Sequence, residues 1–345
     1  MKTDYAQLAQ NYPLSVIIPC YNAAVTLQAT LTSLLENDLS NVEVIVVDDH
    51  STDDTAEMIK RLDASFMGGI QYFRMSERGG PGAARNRGLG SAKYPFVFFL
   101  DADIVLPSQA ICWIRETFDL YSHQPRVAGV LGTYNERVPI DNFPTAFKNL
   151  YTCYLYRMTS TLSPFIHTPM FSVRKEVLEQ EGQFDSDMFR AEDFKLGVML
   201  GSKGYRFVID WRVTGTHLKA YTLVGILRED WRRIGELRRI ELDTEQRRFS
   251  YRAHRWSRIL SLVLPGTVIL LIALGFIWKT SLWLAGLAFL AFFLVNLPLL
   301  FYFCRHRGIL FATASLAFLF IEMLWAQCAL TLSSLLPRHT SSLAR

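Results

Sequence analysis

Asp101 and Asp103 stand one residue apart in the stretch VFFLDADIVLP, residues 97–107. The preceding run, 97–100, is β-branched and aromatic and reads as a buried strand. Two carboxylates at the end of a core strand are costly to desolvate unless something positive accompanies them. Other residues nearby in type could share their chemistry. Asp48 and Asp49 close the apolar run 42–47 with no evident local capping duty, whereas Ser51, Thr52 and Asp53 suit either a helix N-cap or a functional rim. The segment ERGGPGAARNRGLGSA (77–92) is a glycine-rich turn entering a helix, and its backbone N–H groups with Arg78, Arg85 and Arg87 favour an anion. Its spacing matches neither the P-loop nor the dinucleotide fingerprint. Glu192 and Asp193 precede a helical stretch at 194–201, where the plain alternative is an acid complementing the helix dipole. His217, in GTHLKAY, is open between a structural role and a metal-ligand role, and Lys219 and Tyr221 follow it.

The elements that must position these residues alternate in type. Short β-runs fall at 14–18, 42–47, 70–73, 96–100 and 127–131, with helical patterns at 25–36, 53–62 and 81–92. This is an α/β pattern, expected to give a mostly parallel sheet with helices on both faces. In such sheets ligands bind beyond the carboxyl ends of the strands. PCYN (19–22), DDHSTDDT (48–55) and Asp101-Ala102-Asp103 all fall there.

The 345 residues are 50% hydrophobic, unevenly placed. Three apolar runs at 259–278, 281–303 and 309–336 each reach the roughly 20 residues that cross a bilayer as a helix. A buried hairpin in a soluble protein is the alternative. Trp278, Trp283 and Tyr302 near the run ends suit interfacial aromatics. The net charge of +4 is concentrated. Arginines at 228, 232, 233, 238, 239, 247, 248, 252, 255 and 258 outnumber the acids among them, and Arg305 and Arg307 occupy the link between the second and third runs. The positive-inside rule then places residues 1–258 and that link in the cytoplasm. Arg338 and Arg345 run mildly against the topology this implies for the last span. The five cysteines show no metal-ligand spacing and suit a reduced compartment. MKTDYAQLAQ lacks the apolar core of a signal peptide. Nothing in the charge pattern asks for a nucleic-acid partner.

VIIPCYN, VIVVDDHSTDDT, GPGAARNRGL and FLDAD, in this order, resemble the inverting family-2 glycosyltransferases of the GT-A fold. MFSVRKEVLEQEGQFDSDMFRAEDFKLGVMLGSKGYR is similar to that family's acceptor-side half, so the resemblance covers about residues 13–217. It implies a nucleotide-diphospho-sugar donor and Mg2+ or Mn2+, ions that suit carboxylate and phosphate oxygens. By the same resemblance Tyr21 and Asp49 hold the nucleobase over a turn shaped by Pro19, with Asn22 beside them and Asp48 near the nucleoside. Gly82, Arg85 and Asn86 fall where the family supports the diphosphate and the metal-site loop. Asp101 and Asp103 form its D-x-D pair, gripping the metal and the donor, with His217 as a further metal ligand. Asp193, paired with Glu192, is the base that deprotonates the acceptor hydroxyl, and Gly182–Asp185 matches the surrounding G-x-F-D. Ala23 departs from the acid many members carry there and removes one nucleotide contact. Ideal extended geometry would hold the β-carbons of Asp101 and Asp103 about 6–7 Å apart on one side. One is then expected to ligate the metal and the other to act through water or the sugar.

The chain is thus expected to hold a cytosolic catalytic domain (1–221), basic amphipathic interface helices (222–257) and membrane helices (258–337). In 222–242, Leu223, Leu227, Trp231, Ile234 and Leu237 recur at helical spacing among arginines. This suits a helix in the bilayer interface, or one packed on a domain. Phe147, Tyr151, Tyr154, Leu155 and Met158 in 143–162 suit core or a membrane-side contact. Glu322 and Gln327 within the third run should face protein or water. The acceptor is expected to be a hydroxyl of a lipid or lipid-linked glycan, because a base such as Asp193 serves a hydroxyl. Polyprenyl-phosphate transfer needs no base, and a non-catalytic sugar-nucleotide-binding subunit would need none either. A polymer synthase fits less well, since no Q-x-x-R-W signature is found. The location expected is a bacterial inner membrane, with the oligomeric state open.

Overall fold

The structure, a computed structural model, describes residues 4–66, 68–240, 245–246 and 256–335. It divides into a sheet unit, Met1–Ile140 with Leu155–Ala220, and a helical unit, Asp141–Tyr154 with Tyr221–Arg345.

In the sheet unit α1 (Tyr5–Asn11) precedes β1 (Leu14–Cys20), α2 (Ala24–Leu35), β2 (Val42–Asp48), α3 (Thr55–Asp63), β3 (Ile70–Arg74), α4 (Gly80–Leu89) and β4 (Phe96–Leu100). Then come β5 (Ile104–Val105), α5 (Ala110–Leu120) and β6 (Val127–Tyr134). After α6 (Phe143–Arg157) follow β7 (Leu162–Ser163), β8 (Met170–Arg174), α7 (Lys175–Glu181), α8 (Glu192–Ser202) and β9 (Arg206–His217). The strand order is β3-β2-β1-β4-β8-β6-β9-β5, with β7 pairing β9. β1 is parallel to both β2 and β4, as the β-α alternation predicts. β8 instead enters antiparallel between β4 and β6. It comes from a later segment, and nothing in MFSVR says which neighbours it takes.

Side-chain alternation along the strands builds two cores. Val16, Ile18, Val44, Val46, Phe96, Phe98 and Leu100 pack with α2 and α5 residues such as Leu27, Leu31, Ile111 and Ile114. Ile17, Ile45, Val47, Val97 and Phe99 point the other way, onto Ala84, Leu89, Leu178, Leu196 and Leu200 of α4, α7 and α8. β1 and β4 are buried throughout because both faces are covered. α4 reaches β1 at backbone range: a Cβ at Gly88 would lie 2.4 Å from Ile17 Cγ2. Gly88→Ala is therefore expected to cost about 1–3 kcal/mol by overpacking, read as a lowered thermal midpoint. An unchanged midpoint would show that the helix shifts freely.

The helical unit contains the first turns of α6, α9 (Leu223–Leu237), α10 (Trp256–Leu274), α11 (Thr280–Arg307) and α12 (Ile309–Leu335). The last three are long and apolar enough to cross a membrane. Their outward faces leave Leu270, Trp283, Leu287 and Leu310 exposed, a surface that water disfavours and hydrocarbon suits. Ser261 Oγ donates to Asn296 Oδ1 at 3.0 Å, and Gln327 Nε2 donates to the carbonyls of Leu262 and Val263. Counting back from these pairs brings the first residue of α10 level with about residue 301 of α11 and 321 of α12.

Beyond that level α11 and α12 carry apolar surface covered by α6 and α9. Phe147 meets Phe303 and Phe318 at 5.7 and 4.9 Å, Phe143 meets Phe311 at 5.3 Å, and Ile226 is wholly buried. The apolarity of the spans near their link therefore reflects helix packing as well as a bilayer. The same contacts occupy part of α9. Leu227 joins this core and Trp231 lies 5.1 Å from Trp325, whose Nε1 donates to the Leu227 carbonyl, while Leu223 is exposed. Part of the stripe assigned to the bilayer interface is thus packed on α12. The remainder of the basic segment, 241–244 and 247–255, lies outside the described residues, as do Arg338 and Arg345.

Candidate active site

β4 stops at Leu100, and the chain turns at once. The Asp101 N–H donates to the Pro169 carbonyl at 3.0 Å, and Ile104 N–H donates back to the Asp101 carbonyl at 3.3 Å. Ile104 then starts β5, paired antiparallel with β9 opposite His217. The extended geometry expected for Asp101-Ala102-Asp103 is therefore replaced by a turn, because β5 leaves the line of β4 to join β9. The turn sends the two carboxylates to different partners. Asp101 Oδ1 accepts from Arg85 at 2.8 Å, and Asp103 Oδ2 lies 3.3 Å from His217 Nε2.

Arg85, on α4, is 3% exposed and bridges two elements: its other terminal nitrogen donates to Glu192 Oε1, on α8, at 2.7 Å. Both terminal nitrogens are thus committed to carboxylates. Arg85 holds Asp101 and with it the turn after β4. Asn86 is also committed. Its amide donates to the Phe184 carbonyl (2.7 Å) and Ser186 Oγ (3.1 Å) and accepts from Phe184 N–H (3.1 Å), fastening the Gly182–Asp185 segment to α4. Gly82 has the same duty, since a Cβ there would meet the Asp185 carbonyl at 3.0 Å.

Glu192 is buried, and burial with the neighbouring Asp193 charge pushes its carboxyl up to about 7, against the pull of Arg85. Because its folded value exceeds the unfolded one, the folded state binds the extra proton between about pH 4.3 and about 7. Stability contributed by this group is present below that window and is lost as pH rises through it. Glu192→Gln should accordingly flatten the fall in thermal midpoint between those pH values; parallel profiles for both proteins would refute the shift.

Asp193, half-buried at the start of α8, accepts from the Phe194 N–H at 2.7 Å. The residue before the pair, Ala191, has φ 62° and ψ 15°. A non-glycine residue in the left-handed region is strained, and such strain collects at functional sites. Alanine gives no sequence signal for it.

On the nucleotide side the expected contacts divide. Tyr21 is exposed, with the Arg78 guanidinium 3.9 Å over its ring. Arg78 entered the sequence reading only as local positive charge; the stacked pair is seen in the fold alone. Asp48 is wholly buried, accepting from Ser51 N–H and Tyr72 Oη, each at 2.7 Å. It therefore holds the turn between β2 and α3. Asp49 accepts from Gly79 and Gly80 N–H at 2.6 and 2.9 Å, so it caps the entry to α4. Burial raises its pKa, against the two N–H donors and Arg78. Gly80, at φ +86°, gives the turn its shape. Asn22 welds the first two rim loops: its side-chain Oδ1 accepts from Thr52 N–H at 2.8 Å and its backbone N–H donates to Ser51 Oγ at 2.9 Å. Pro19 is buried in β1 beside Val47. Asp53 takes the capping reading, accepting from Thr55 N–H and from Ala24 N–H at the start of α2.

His217 is buried at the end of β9, stacked on Tyr134 at 4.7 Å between ring centres. Burial opposes ionisation of Asp103, but His217 and Lys219 outweigh it and hold this carboxyl below the usual range. Asp103 and His217 offer an oxygen and a nitrogen donor facing one another, a pair that fits a divalent ion taking its other ligands from phosphate oxygens and water. Among the described residues no cluster of three or more His, Cys, Asp or Glu forms a complete protein cage.

A sheet of this order, with an acid turn ending its central strand and an arginine tying that turn to an acid-headed helix, defines a GT-A-like domain. Residues 15–182 match the family model described as Glycosyl transferase family 2, and the domain belongs to that family. Poly-beta-1,6-N-acetyl-D-glucosamine synthase of Staphylococcus aureus (strain COL) is 27% identical over 200 residues, 56% of this chain and 47% of that protein. The Staphylococcus epidermidis protein of the same name is 26% identical over 223 residues, 63% of this chain and 52% of its own. The chain spans about half the length of the curated relatives it matches. The mannosyltransferase PcManGT from Pyrobaculum calidifontis, solved with GDP-Man and Mn2+, superposes with a TM-score of 0.56 at 21% identity, covering 91% of this chain and 87% of that one. That likeness establishes the fold.

Proposed function

We propose that this chain is a membrane-bound inverting glycosyltransferase that moves a sugar from a nucleotide-diphospho-sugar to a hydroxyl of a lipid or lipid-linked glycan. The observation that carries the reading is the Glu192–Arg85–Asp101 bridge, which joins the turn bearing Asp103 to the helix bearing Asp193. Asp193 takes the proton from the acceptor hydroxyl, which is a poor nucleophile until deprotonated. The hydroxyl oxygen attacks the anomeric carbon from the face opposite the leaving diphosphate, so the configuration inverts. Asp103 and His217 would hold Mg2+ or Mn2+, which supplies charge neutralisation for the departing diphosphate. Tyr21, with Arg78 beside it, offers a flat face for the nucleobase. The Mn2+ and GDP-Man of the PcManGT complex support this choice of donor and ion. The arginines of α9 and of the last turn of α11 support a cytoplasmic location for residues 1–258, in a bacterial inner membrane.

The test is nucleotide release by the full chain in detergent, across a panel of sugar nucleotides with and without the ion. Ion-dependent release, abolished by Asp103→Ala and Asp193→Asn, is expected. Release by both variants at the wild-type rate would overturn the mechanism assigned to Asp103 and Asp193, and no release from the wild-type chain would favour a sugar-nucleotide-binding subunit. Transfer that survives Asp193→Asn alone would indicate an acceptor already ionised, such as a polyprenyl phosphate.

A further inference from the structure

β9 carries a bulge that the donor site does not require. Ile209 pairs with Leu131 and Thr214 with Thr133, so residues 210–213 stand opposite Gly132 alone. A bulge re-aims a side chain, and this one is anchored on several sides. Asp210 Oδ2 accepts from Thr117 Oγ of α5 at 2.7 Å, and Arg212 donates to Asp210 Oδ2 and Glu116 Oε2 at 2.8 and 2.6 Å. Thr214 Oγ donates to the Trp211 carbonyl at 2.7 Å. Across the ladder a Cβ at Gly132 would lie 2.9 Å from the Val213 carbonyl, so the extra residues press close on β6. Asp210 and Arg212 are thus tied to α5, and Trp211 between them turns the other way, toward the end of α6. There its ring is left 42% exposed.

Arg157, the last residue of α6, sets its guanidinium 5.6 Å from the centre of the indole ring and pairs with Glu136 at 2.5 Å. The exposed ring therefore has a donor fork and a carboxylate acceptor at its side. Around the bulge the guanidiniums of Arg157 and Arg212 face the carboxylates of Glu136, Glu116 and Asp210. An anionic headgroup would find no surplus of positive charge there, and a purely apolar partner would have to desolvate the ion pair. A neutral saccharide matches both halves of the patch. The C–H face of a pyranose packs on an indole plane, and its rim hydroxyls donate to a carboxylate and accept from a guanidinium. The patch also leads to the candidate site. Glu136 follows Tyr134 by two residues, Asn135 N–H donates to the Gly215 carbonyl at 2.8 Å, and the Tyr134 ring stacks on His217. Along the strands Gly132, opposite the bulge, falls about 7 Å short of Tyr134, a distance an oligosaccharide spans.

We propose that Trp211, with Arg157 and Glu136 beside it, is a binding subsite for a neutral saccharide, the part of a glycan acceptor remote from the reacting hydroxyl. This rests on the reading of the chain as a glycosyltransferase. It deepens that reading by choosing a glycan over a bare lipid hydroxyl as the acceptor and by naming the residues that hold it.

The experiment places the full chain in phosphatidylcholine nanodiscs without sugar nucleotide. It is titrated with neutral hexasaccharides of β-linked glucose, β-linked N-acetylglucosamine and α-linked mannose, and binding is read by calorimetry. At least one is expected to bind, and Trp211→Ala should weaken it by about tenfold or more through loss of the stacking face. The thermal midpoint should hold, because the side chain is exposed. Trp211→Phe keeps a smaller ring and should keep part of the affinity. If Trp211→Ala does not fold, Glu136→Gln carries the same comparison. Absence of binding by all three saccharides, or unchanged affinity in the folded variant, overturns the subsite. Quenching of Trp211 fluorescence by brominated lipid, taken as the difference between wild type and Trp211→Phe, would seat the ring in the bilayer and overturn it too. Absence of nucleotide release from the wild-type chain would instead count against the transferase reading, because saccharide binding requires no donor.

Discussion

Replacing Arg85 by methionine is expected to destabilise the sheet unit by about 1–3 kcal/mol, the cost of leaving buried polar groups without their hydrogen-bond partner. Arg85 is 3% exposed and Glu192 is 7% exposed, so a Glu192 turned loose has little water to replace the guanidinium and takes up a proton instead. Asp101, at 29%, would recover more of its solvation, and Glu192 would bear most of the penalty. Arg85→Lys should rescue only part of the loss, because a single ammonium lacks the planar fork that serves two carboxylates at once. Pairing Arg85→Met with Glu192→Gln removes the proton uptake by Glu192 and should restore part of the loss, a coupling typical of residues in one network. Denaturant unfolding of the four proteins in the same detergent reads these differences. A methionine variant within about 0.5 kcal/mol of wild type would mean that the bridge contributes nothing to the fold.

Asp193→Asn should act on rate and not on stability. Loss of a general base typically lowers turnover by about 10²–10⁴-fold, and here the expected drop falls on kcat with the donor KM unchanged. Asparagine keeps a carbonyl oxygen to accept from the Phe194 N–H, so the first turn of α8 and the thermal midpoint should persist. The contrast with Glu192 is informative. Glu192 reaches the turn through Arg85, making it a positioning residue whose variants alter stability and its pH dependence. A variant of Asp193 that lowers the midpoint as much as the rate would reduce its role to capping α8.

Much of the fold was legible in particular residues. The alternation in LSVIIPC, VEVIVVD and FVFFL is what sends successive side chains into two different cores, and the helical periods between them are what force parallel crossovers. The site was legible as a set of positions more than as a set of roles. Asp48, Asp49, Arg85 and Asn86 all lie at the predicted rim, yet their polar atoms are committed to Tyr72, to Gly79 and Gly80, to Asp101 and Glu192, and to the 184–186 segment. A residue's type announces that it needs a partner, and its neighbours in the chain do not say which one it finds.

Local pattern alone specifies the order of β1–β4 and the helices between them, the apolar faces, three helices of membrane-crossing length and the acids at the strand ends. These follow from local periodicity and composition, which each short segment carries independently. Packing of the whole chain is what brings β8 into the sheet antiparallel, parts Asp101 from Asp103 at the turn after β4, and lays α6 and α9 over the apolar ends of α11 and α12. Arg85 meets an acid 107 positions away, and Lys148 one 174 positions away. Contacts of that range depend on how the whole chain packs, and no window of sequence contains both partners.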